Sequence, residues 1–210
     1  MTQRLRVHPQ NPQPRLLDNA VAMIRKGALA AFPTDSAWAL GGHIGDAALL
    51  ERIRRIRGVD ERHHFTLLCS DLSQIAIYAR VDNTRYRLLK AATPGPYTFI
   101  LEGTRELPRR VMHPKRKTIG LRVPDHPVTL ALLAALGEPL LSSTLLVPGA
   151  ETPCTDADSI IDQLGGAIDV VIDSGACGVG MTTVVNLVSD VPEVVRVGAG
   201  SLTALGLSID

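Results

Sequence analysis

The segment 28–42 constrains the fold most, because a short apolar run there reaches Pro33 and breaks at once into Thr34, Asp35 and Ser36. An apolar run of this length beside turn-forming residues is typical of a buried strand. Proline donates no ladder hydrogen bond, so Pro33 marks the end of the strand or an edge position. The polar side chains then stand where α/β sheets hold ligands. They also favour a local hydrogen-bonded turn, and both interpretations remain open.

Apolar runs and amphipathic segments alternate along the first part of the chain, and strands accumulate later. This order predicts one α/β domain over residues 1–210, with a twisted mixed sheet and flanking helices. The expected helices cover residues 14–26, 46–58, 71–75, 82–89, 125–136 and 158–164. The expected strands cover residues 28–32, 65–69, 97–102, 118–123, 140–143, 168–173, 183–187 and 194–197. Residues 208–210 are expected to form a frayed tail.

The composition predicts a cytoplasmic globular protein with no membrane partner. Hydrophobic residues make up 45% and charged residues 20% of the chain, and no segment approaches the roughly 20 apolar residues of a membrane-spanning helix. The first residues contain no apolar leader core. The three cysteines are scattered without paired spacing, which is typical of free thiols in a reducing compartment.

The net charge of +1 conceals an asymmetry along the chain. No Lys or Arg lies between Arg122 and Arg196, while the earlier part contains two basic clusters, residues 52–57 and 105–117. Such an asymmetry indicates a polyanionic ligand at the basic part, although a solvated charged face explains it equally well.

Several kinds of chemistry lack their motif. The six histidines form no pair at helical spacing and have no cysteine partner at metal spacing, so no metal site built from protein side chains is expected. No Gly-x-Ser-x-Gly elbow of a hydrolase occurs. The glycine-rich segment 174–183 lacks the Gly-Lys-Ser/Thr ending of a P-loop, and it serves either as a phosphate cradle or as a plain connection.

Six segments in order resemble the motifs of the YrdC-like superfamily, most closely its YciO branch, over nearly the whole chain, with residues 14–200 as the recognisable core. They are Pro33-Thr34-Asp35-Ser36-Ala37-Trp38-Ala39-Leu40, Arg55-Ile56-Arg57, Thr93-Pro94-Gly95-Pro96-Tyr97-Thr98, Thr118-Ile119-Gly120-Leu121-Arg122-Val123-Pro124, Thr182-Thr183-Val184-Val185 and Val195-Arg196-Val197-Gly198. The resemblance implies a single YrdC-like domain with a large, basic, concave cleft.

The resemblance also implies L-threonylcarbamoyladenylate synthesis, in which L-threonine, bicarbonate and ATP give threonylcarbamoyl-AMP and pyrophosphate for the modification of tRNA. It assigns catalysis to Arg55 and Arg57. By the same resemblance, threonine is bound by Thr34, Arg122, Ser142 and Thr182, and the nucleotide by Arg55, Arg57, His63, Thr118, Thr144 and Arg196. Mg²⁺ is expected to arrive with ATP, held by phosphate oxygens and water. The family's association with double-stranded RNA or tRNA points to the basic residues Arg109, Arg110, Lys115, Arg116 and Lys117.

Four positions depart from the motifs of the synthases. Arg55 replaces a lysine, His63 stands near the place of a second lysine, Thr144-Leu145-Leu146 replaces Ser-Ala-Asn, and Val185-Asn186 replaces Val-Asp. Arginine and lysine are not equivalent at a site that positions a ligand. The departures therefore keep a second hypothesis open, an ATP- and double-stranded RNA-binding protein of the YciO type without efficient synthase activity.

Overall fold

The computed structural model describes residues 1–208 and contains one mixed sheet of ten strands with six α-helices. The strands are β1 (Gln3–Arg6), β2 (Ala30–Phe32), β3 (Ala39–His43), β4 (Thr66–Leu68), β5 (Tyr97–Glu102), β6 (Thr118–Arg122), β7 (Leu140–Thr144), β8 (Val170–Asp173), β9 (Thr183–Asn186) and β10 (Glu193–Arg196). The helices are α1 (Pro14–Arg25), α2 (Ala47–Arg57), α3 (Leu72–Tyr78), α4 (Asn83–Ala92), α5 (Pro127–Leu136) and α6 (Ala157–Leu164). This confirms the predicted fold class. Residues 209 and 210, where the frayed tail was expected, lie outside the described residues.

The sheet has the order β1-β8-β2-β3-β7-β4-β6-β5-β9-β10, and parallel and antiparallel pairs alternate irregularly along it. The sequence prediction missed β1 and β3. β1 is a short edge strand with a single buried residue, so its apolar signal is weak. β3 contains Gly41 and Gly42, which are unfavourable in strands, and it forms because it pairs on both sides, with β2 and β7.

Helix ends follow the capping rules. The carboxylates of Asp46, Asp71, Asp82 and Asp156 each accept a hydrogen bond from a backbone N–H of the first turn of α2, α3, α4 and α6. Gly58 ends α2 in the left-handed conformation that glycine adopts without strain. Four α-helices therefore begin where the sequence places a capping aspartate.

The two faces of the sheet are covered unequally. One face packs against α2, α3, α4 and α6 through a core that runs the length of the sheet. The other face packs against α1 and α5. Within residues 1–208, the core under α1 and α5 takes no side chain from β5, β6, β9 or β10. The second face is therefore open over these four strands, and it forms the floor of a cleft.

No helix within residues 1–208 combines the length and the apolar character that crossing a membrane requires.

Candidate functional site

The cleft has a volume of about 1090 Å³ and lies on the uncovered part of the sheet. Strand alternation supplies its floor, because every second side chain of a strand points to the same face. In β6, Thr118, Gly120 and Arg122 face the cleft while the residues between them enter the core. A volume of this size exceeds what one amino acid needs and is sufficient for a nucleotide beside it.

Positive charge dominates the cleft wall. Its lining includes five arginines and, within residues 1–208, one carboxylate, that of Glu193; the arginines are Arg57, Arg62, Arg116, Arg122 and Arg196. Guanidinium groups bind carboxylates and phosphates through paired N–H donors. The cleft is therefore suited to an anionic ligand, and the predicted basic concave cleft is confirmed.

The loop after β2 forms one wall, and Thr34 organises it. The Thr34 hydroxyl donates to the carbonyl of Ala37 at 2.6 Å and accepts from the backbone N–H groups of Ser36 at 3.2 Å and Ala37 at 3.3 Å. Thr34 also lines the cleft. The sequence left a hydrogen-bonded turn and a ligand-facing segment as alternatives for residues 34–36. The loop is a hydrogen-bonded turn that also forms part of the cleft wall.

Arg122 projects from the end of β6 into this loop. Its Nη1 donates to the Ser36 hydroxyl at 2.9 Å, and its Nη2 forms an ion pair with Asp35. Its side chain is 7% exposed, and its Nε has no hydrogen-bond partner within residues 1–208. Burial lowers the pKa of Arg122, and the charge and hydrogen bond of Asp35 oppose this shift. Arginine nevertheless stays protonated at neutral pH, so a buried cation with a free donor borders the cleft.

A second cationic group of the cleft contains Arg196, which binds Thr182, and Arg57. Arg196 donates from Nε and Nη2 to the carbonyl of Thr182 at 3.1 and 2.9 Å, and Thr182 contacts the hydroxyl of Thr98 at 3.0 Å. Arg57 donates to the carbonyl of Leu146 at 3.1 Å. Partial burial lowers the pKa of Arg57, and the charge of Arg196 adds to the effect. Desolvation also lowers the pKa of Arg196, although that residue remains exposed on β10. The repulsion between Arg57 and Arg196 favours an anion between them.

A bulge in β10 places Arg196 in the cleft. Glu193 pairs with Asn186 and Val194 with Val185, but Arg196 then pairs with Val184. Without this irregularity Glu193 and Arg196, three positions apart, would face opposite sides of the sheet. Both line the cleft.

His63 and Thr118 complete the polar lining. The Nε2 of His63 lies 2.9 Å from the Ser143 hydroxyl, and burial, followed by the charge of Arg57, lowers the pKa of His63 to about 4. His63 is therefore neutral at physiological pH. The hydroxyl of Thr118 is buried without a partner within residues 1–208, and an unsatisfied polar atom at a cleft indicates a missing ligand or water.

Most of the residues predicted for threonine and nucleotide line this one cleft: Thr34, Arg57, His63, Thr118, Arg122, Ser142, Thr144, Thr182 and Arg196. Arg55 does not line it; the side chain is exposed on another face of α2. The predicted RNA-binding residues are all exposed on the loop between β5 and β6, and of these Arg116 reaches the cleft.

The sequence analysis did not assign Arg62, Thr66, Thr98 or Glu193 to the cleft, and it noted Asn186 only as a departure from the synthase motif. Strand alternation was the available signal for Thr98, because its neighbours Tyr97 and Phe99 are core residues. Arg62 and Glu193 stood in segments without a distinctive pattern. Within residues 1–208, no group of three or more His, Cys, Asp or Glu side chains is arranged to hold a metal ion.

Comparison with known proteins identifies the family to which this fold and cleft belong. The model of the Sua5, YciO and YrdC proteins, described as "Telomere recombination", matches residues 22–198. The chain therefore belongs to the Sua5/YciO/YrdC family, and its relatives place it in the YciO branch.

The relatives and solved structures agree with this membership. The chain is 50% identical over 202 residues to protein YciO of Escherichia coli K12, covering 96% of this chain and 98% of that protein. It is 31% identical over 165 residues to the threonylcarbamoyl-AMP synthase of Halorhodospira halophila, covering 78% and 85% of the two chains. The E. coli YciO structure superposes with a TM-score of 0.94 at 49% identity, covering 98% of this chain and all of that one (100%). The structure of P. abyssi Sua5 complexed with L-threonine shares the fold, with a TM-score of 0.83 at 24% identity, covering 94% of this chain and 57% of that longer one.

Proposed function

We propose that this protein is a threonylcarbamoyl-AMP synthase-like enzyme that binds L-threonine, bicarbonate and ATP in the cleft. One observation carries the proposal: the buried cation Arg122 borders a cleft that is also lined by the anion-attracting arginines Arg57 and Arg196. Separate guanidinium groups in one cleft suit a small carboxylate at Arg122 and a polyphosphate at Arg57 and Arg196. The 31%-identical threonylcarbamoyl-AMP synthase supports the same chemistry.

Threonine would bind through its carboxylate to Arg122, whose Nε has no partner within residues 1–208 and whose Nη atoms also hold Ser36 and Asp35. Ser142 and Thr182 line the cleft, and the Ser142 hydroxyl, which donates to the Thr66 carbonyl, would accept a hydrogen bond from the substrate. Thr182 would contribute through its contacts with Thr98 and Arg196. Thr34 would act differently from the sequence prediction, because its hydroxyl is already occupied by the loop 34–37. We assign to Thr34 the shaping of the pocket wall.

ATP would place its phosphates between Arg57 and Arg196, with the unpartnered hydroxyl of Thr118 as a further contact and Thr144 and His63 at the edge. The amine of threonine takes up carbon dioxide and loses a proton. One carbamate oxygen then attacks the α-phosphorus of ATP, and the bond between that phosphorus and the α,β-bridging oxygen breaks, so that the β- and γ-phosphates leave together as pyrophosphate. The protein contributes alignment of the two reactants and stabilisation of the charge that develops on pyrophosphate.

Mg²⁺ is proposed to accompany ATP. The cleft lining offers hydroxyls and, within residues 1–208, a single carboxylate, which is too few protein ligands for a dedicated cage. The phosphate oxygens and water would hold the ion, which when bound would neutralise phosphate charge. No step above requires a protein ligand to it.

The proposal is tested by incubating the protein with ATP, L-threonine and labelled bicarbonate and measuring labelled threonylcarbamoyl-AMP and pyrophosphate. Both products should form only with threonine present, and Arg122→Gln should reduce their rate by about 10- to 100-fold, the effect of losing a charged hydrogen bond. Arg15→Gln, on an exposed face of α1 outside the cleft, is the matched control and should not change the rate. Absence of threonine-dependent product, or an unaffected Arg122→Gln variant, would refute the proposal.

RNA binding without efficient turnover is the second candidate. The loop between β5 and β6 supports it, because it exposes Arg109, Arg110, Lys115, Arg116 and Lys117 together. Exposed cations bind phosphate backbones without sequence preference by releasing counterions. Arg116 connects this surface to the cleft.

A further inference from the structure

The part of the cleft floor over β5, β9 and β10 carries several apolar side chains, unlike the arginine-lined wall of the cleft. Ile100, Val184, Val188 and Val195 line it there. Val195 is 54% exposed, although it lies in a cleft that is otherwise rich in arginines and hydroxyls. An exposed apolar surface inside a polar cleft marks the place of an apolar part of a ligand.

Glu193 stands beside this apolar shelf, which we define as Ile100, Val184 and Val195. The Nδ2 of Asn186 donates to the Oε2 of Glu193 at 3.1 Å, and the Oδ1 of Asn186 accepts the backbone N–H of Val188 at 3.1 Å. Two contacts thus fix the amide orientation of Asn186. The Oε1 of Glu193 accepts no hydrogen bond within residues 1–208. Glu193 is exposed and lines the cleft, so its Oε1 is free to accept a hydrogen bond from a ligand there.

A carboxylate in an otherwise cationic cleft requires a ligand that is not anionic at this point. The pair of hydroxyls on a ribose satisfies this requirement, because both donate hydrogen bonds and acidic side chains commonly accept from them in nucleotide sites. Arg122 lies on β6 and Glu193 on β10, three strand spacings apart in the sheet order. At about 4.8 Å per spacing the two strands lie about 14 Å apart, and the register sets Glu193 level with Gly120, two residues from Arg122. A separation of this order suits an adenylate extending from the carboxylate site.

We propose that this cleft binds its reacting nucleotide in two parts. The apolar shelf binds the base, and Glu193, which is oriented by Asn186, binds the ribose hydroxyls. The inference rests on the proposed function and names the part of the chain that distinguishes a nucleotide from a bare polyphosphate. Asn186 is a positioning residue, since it acts on the ribose through Glu193. Asn186 stands where this sequence departs from the Val-Asp motif of the synthases.

The test measures binding by titration calorimetry with four probes: ATP, 2′-deoxyATP, 3′-deoxyATP and inorganic tripolyphosphate. The wild-type protein should bind ATP more tightly than the other three. Glu193→Ala should weaken ATP binding about tenfold, make the deoxynucleotides equal to ATP, and leave tripolyphosphate binding no weaker than in the wild type. Glu102→Ala, an exposed carboxylate on β5 outside the cleft lining, is the matched control and should bind all probes as the wild type does.

Three results would overturn the inference while leaving the proposed function intact: tripolyphosphate bound as tightly as ATP, deoxynucleotides bound as tightly as ATP by the wild type, or ATP binding unaffected by Glu193→Ala. Binding of none of the four probes would overturn both this inference and the proposed function. Asn186→Ala should reproduce part of the Glu193→Ala effect on ATP, and no effect would remove Asn186 from its positioning role.

Discussion

Arg55 and Arg57 show how much a single residue's position on a helix decides. Residues two apart in an α-helix lie about 200° apart around its axis, so both cannot face one cleft. The structure turns Arg57 into the cleft and Arg55 to solvent. The sequence motif correctly located the helix beside the site, but the motif alone could not decide which arginine reaches the ligand.

We therefore expect Arg57→Gln and Arg55→Gln to behave differently. Arg57→Gln should weaken binding of ATP about tenfold or more, because it removes a charge from the proposed phosphate site. Arg55→Gln should leave binding within about twofold of the wild type, as exposed charges outside a site contribute little. Calorimetric titration with ATP compares the two. An equal loss of ATP affinity in both variants would contradict the conclusion that Arg57, and not Arg55, faces the nucleotide.

His63 makes a pH prediction. Its pKa falls from 6.5 to about 4 on folding, so the unfolded chain binds a proton between these values while the folded chain does not. The stability contribution of neutral His63 is complete above pH 6.5 and is lost as the pH falls towards 4. His63→Gln should accordingly lose less free energy of unfolding between pH 7 and pH 4.5 than the wild type does, in urea titrations at both pH values. Identical losses of unfolding free energy in the two proteins would show that His63 does not have a lowered pKa in the folded state.

At the scale of elements, α5 holds the loop that carries the site. Thr129, fully buried on α5, donates from its hydroxyl to the carbonyl of Pro33, the residue at which β2 gives way to the loop 34–37. The helix thereby fixes the start of the segment that places Asp35 and Ser36 against Arg122.

Replacing Thr129 by valine should reduce the free energy of unfolding by about 1–3 kcal/mol, the cost of leaving a buried carbonyl without its donor. The shape of the side chain is preserved, so the loss reports the hydrogen bond. Thr129→Ser, which keeps the hydroxyl, should recover part of the stability. Urea unfolding of the three proteins measures the effect, and a Val variant as stable as the wild type would show that the contact contributes nothing.

Much of this element framework is readable from the sequence. The capping residues Asp46, Asp71 and Asp82, the apolar runs of β5 and β6 and the terminating Gly58 and Gly137 are local signals, and the structure contains the elements they predict. The cap of α6 is Asp156, two residues before the predicted start of that helix. The strand β3 and the bulge in β10 depend on pairing with distant strands, so local propensity does not reveal them. Arg57, Arg122 and Arg196 were found through motif order, whereas the Asn186–Glu193 contact required the register of β9 and β10.

At the scale of the whole molecule, unequal coverage of one sheet creates the cleft, and a basic surface adjoins it. If RNA binds there, neutralising Arg109, Arg110, Lys115 and Lys117 together should weaken the binding of double-stranded RNA and flatten its dependence on salt concentration. A control variant neutralises four exposed cations on α1, the residue after it and α4: Arg15, Lys26, Arg87 and Lys90. Equal losses in the two variants, measured by fluorescence anisotropy over a salt series, would exclude the loop as the specific RNA surface.

The central claim is that one cleft holds threonine on the Arg122 side and the nucleotide on the side of Arg57 and Arg196. A crystal structure of the protein with L-threonine and a non-hydrolysable ATP analogue tests it most directly. The account predicts the threonine carboxylate within hydrogen-bond distance of Arg122 and the triphosphate between Arg57 and Arg196. Threonine or the analogue bound outside the cleft, or an empty cleft at saturating concentrations of both, would contradict it.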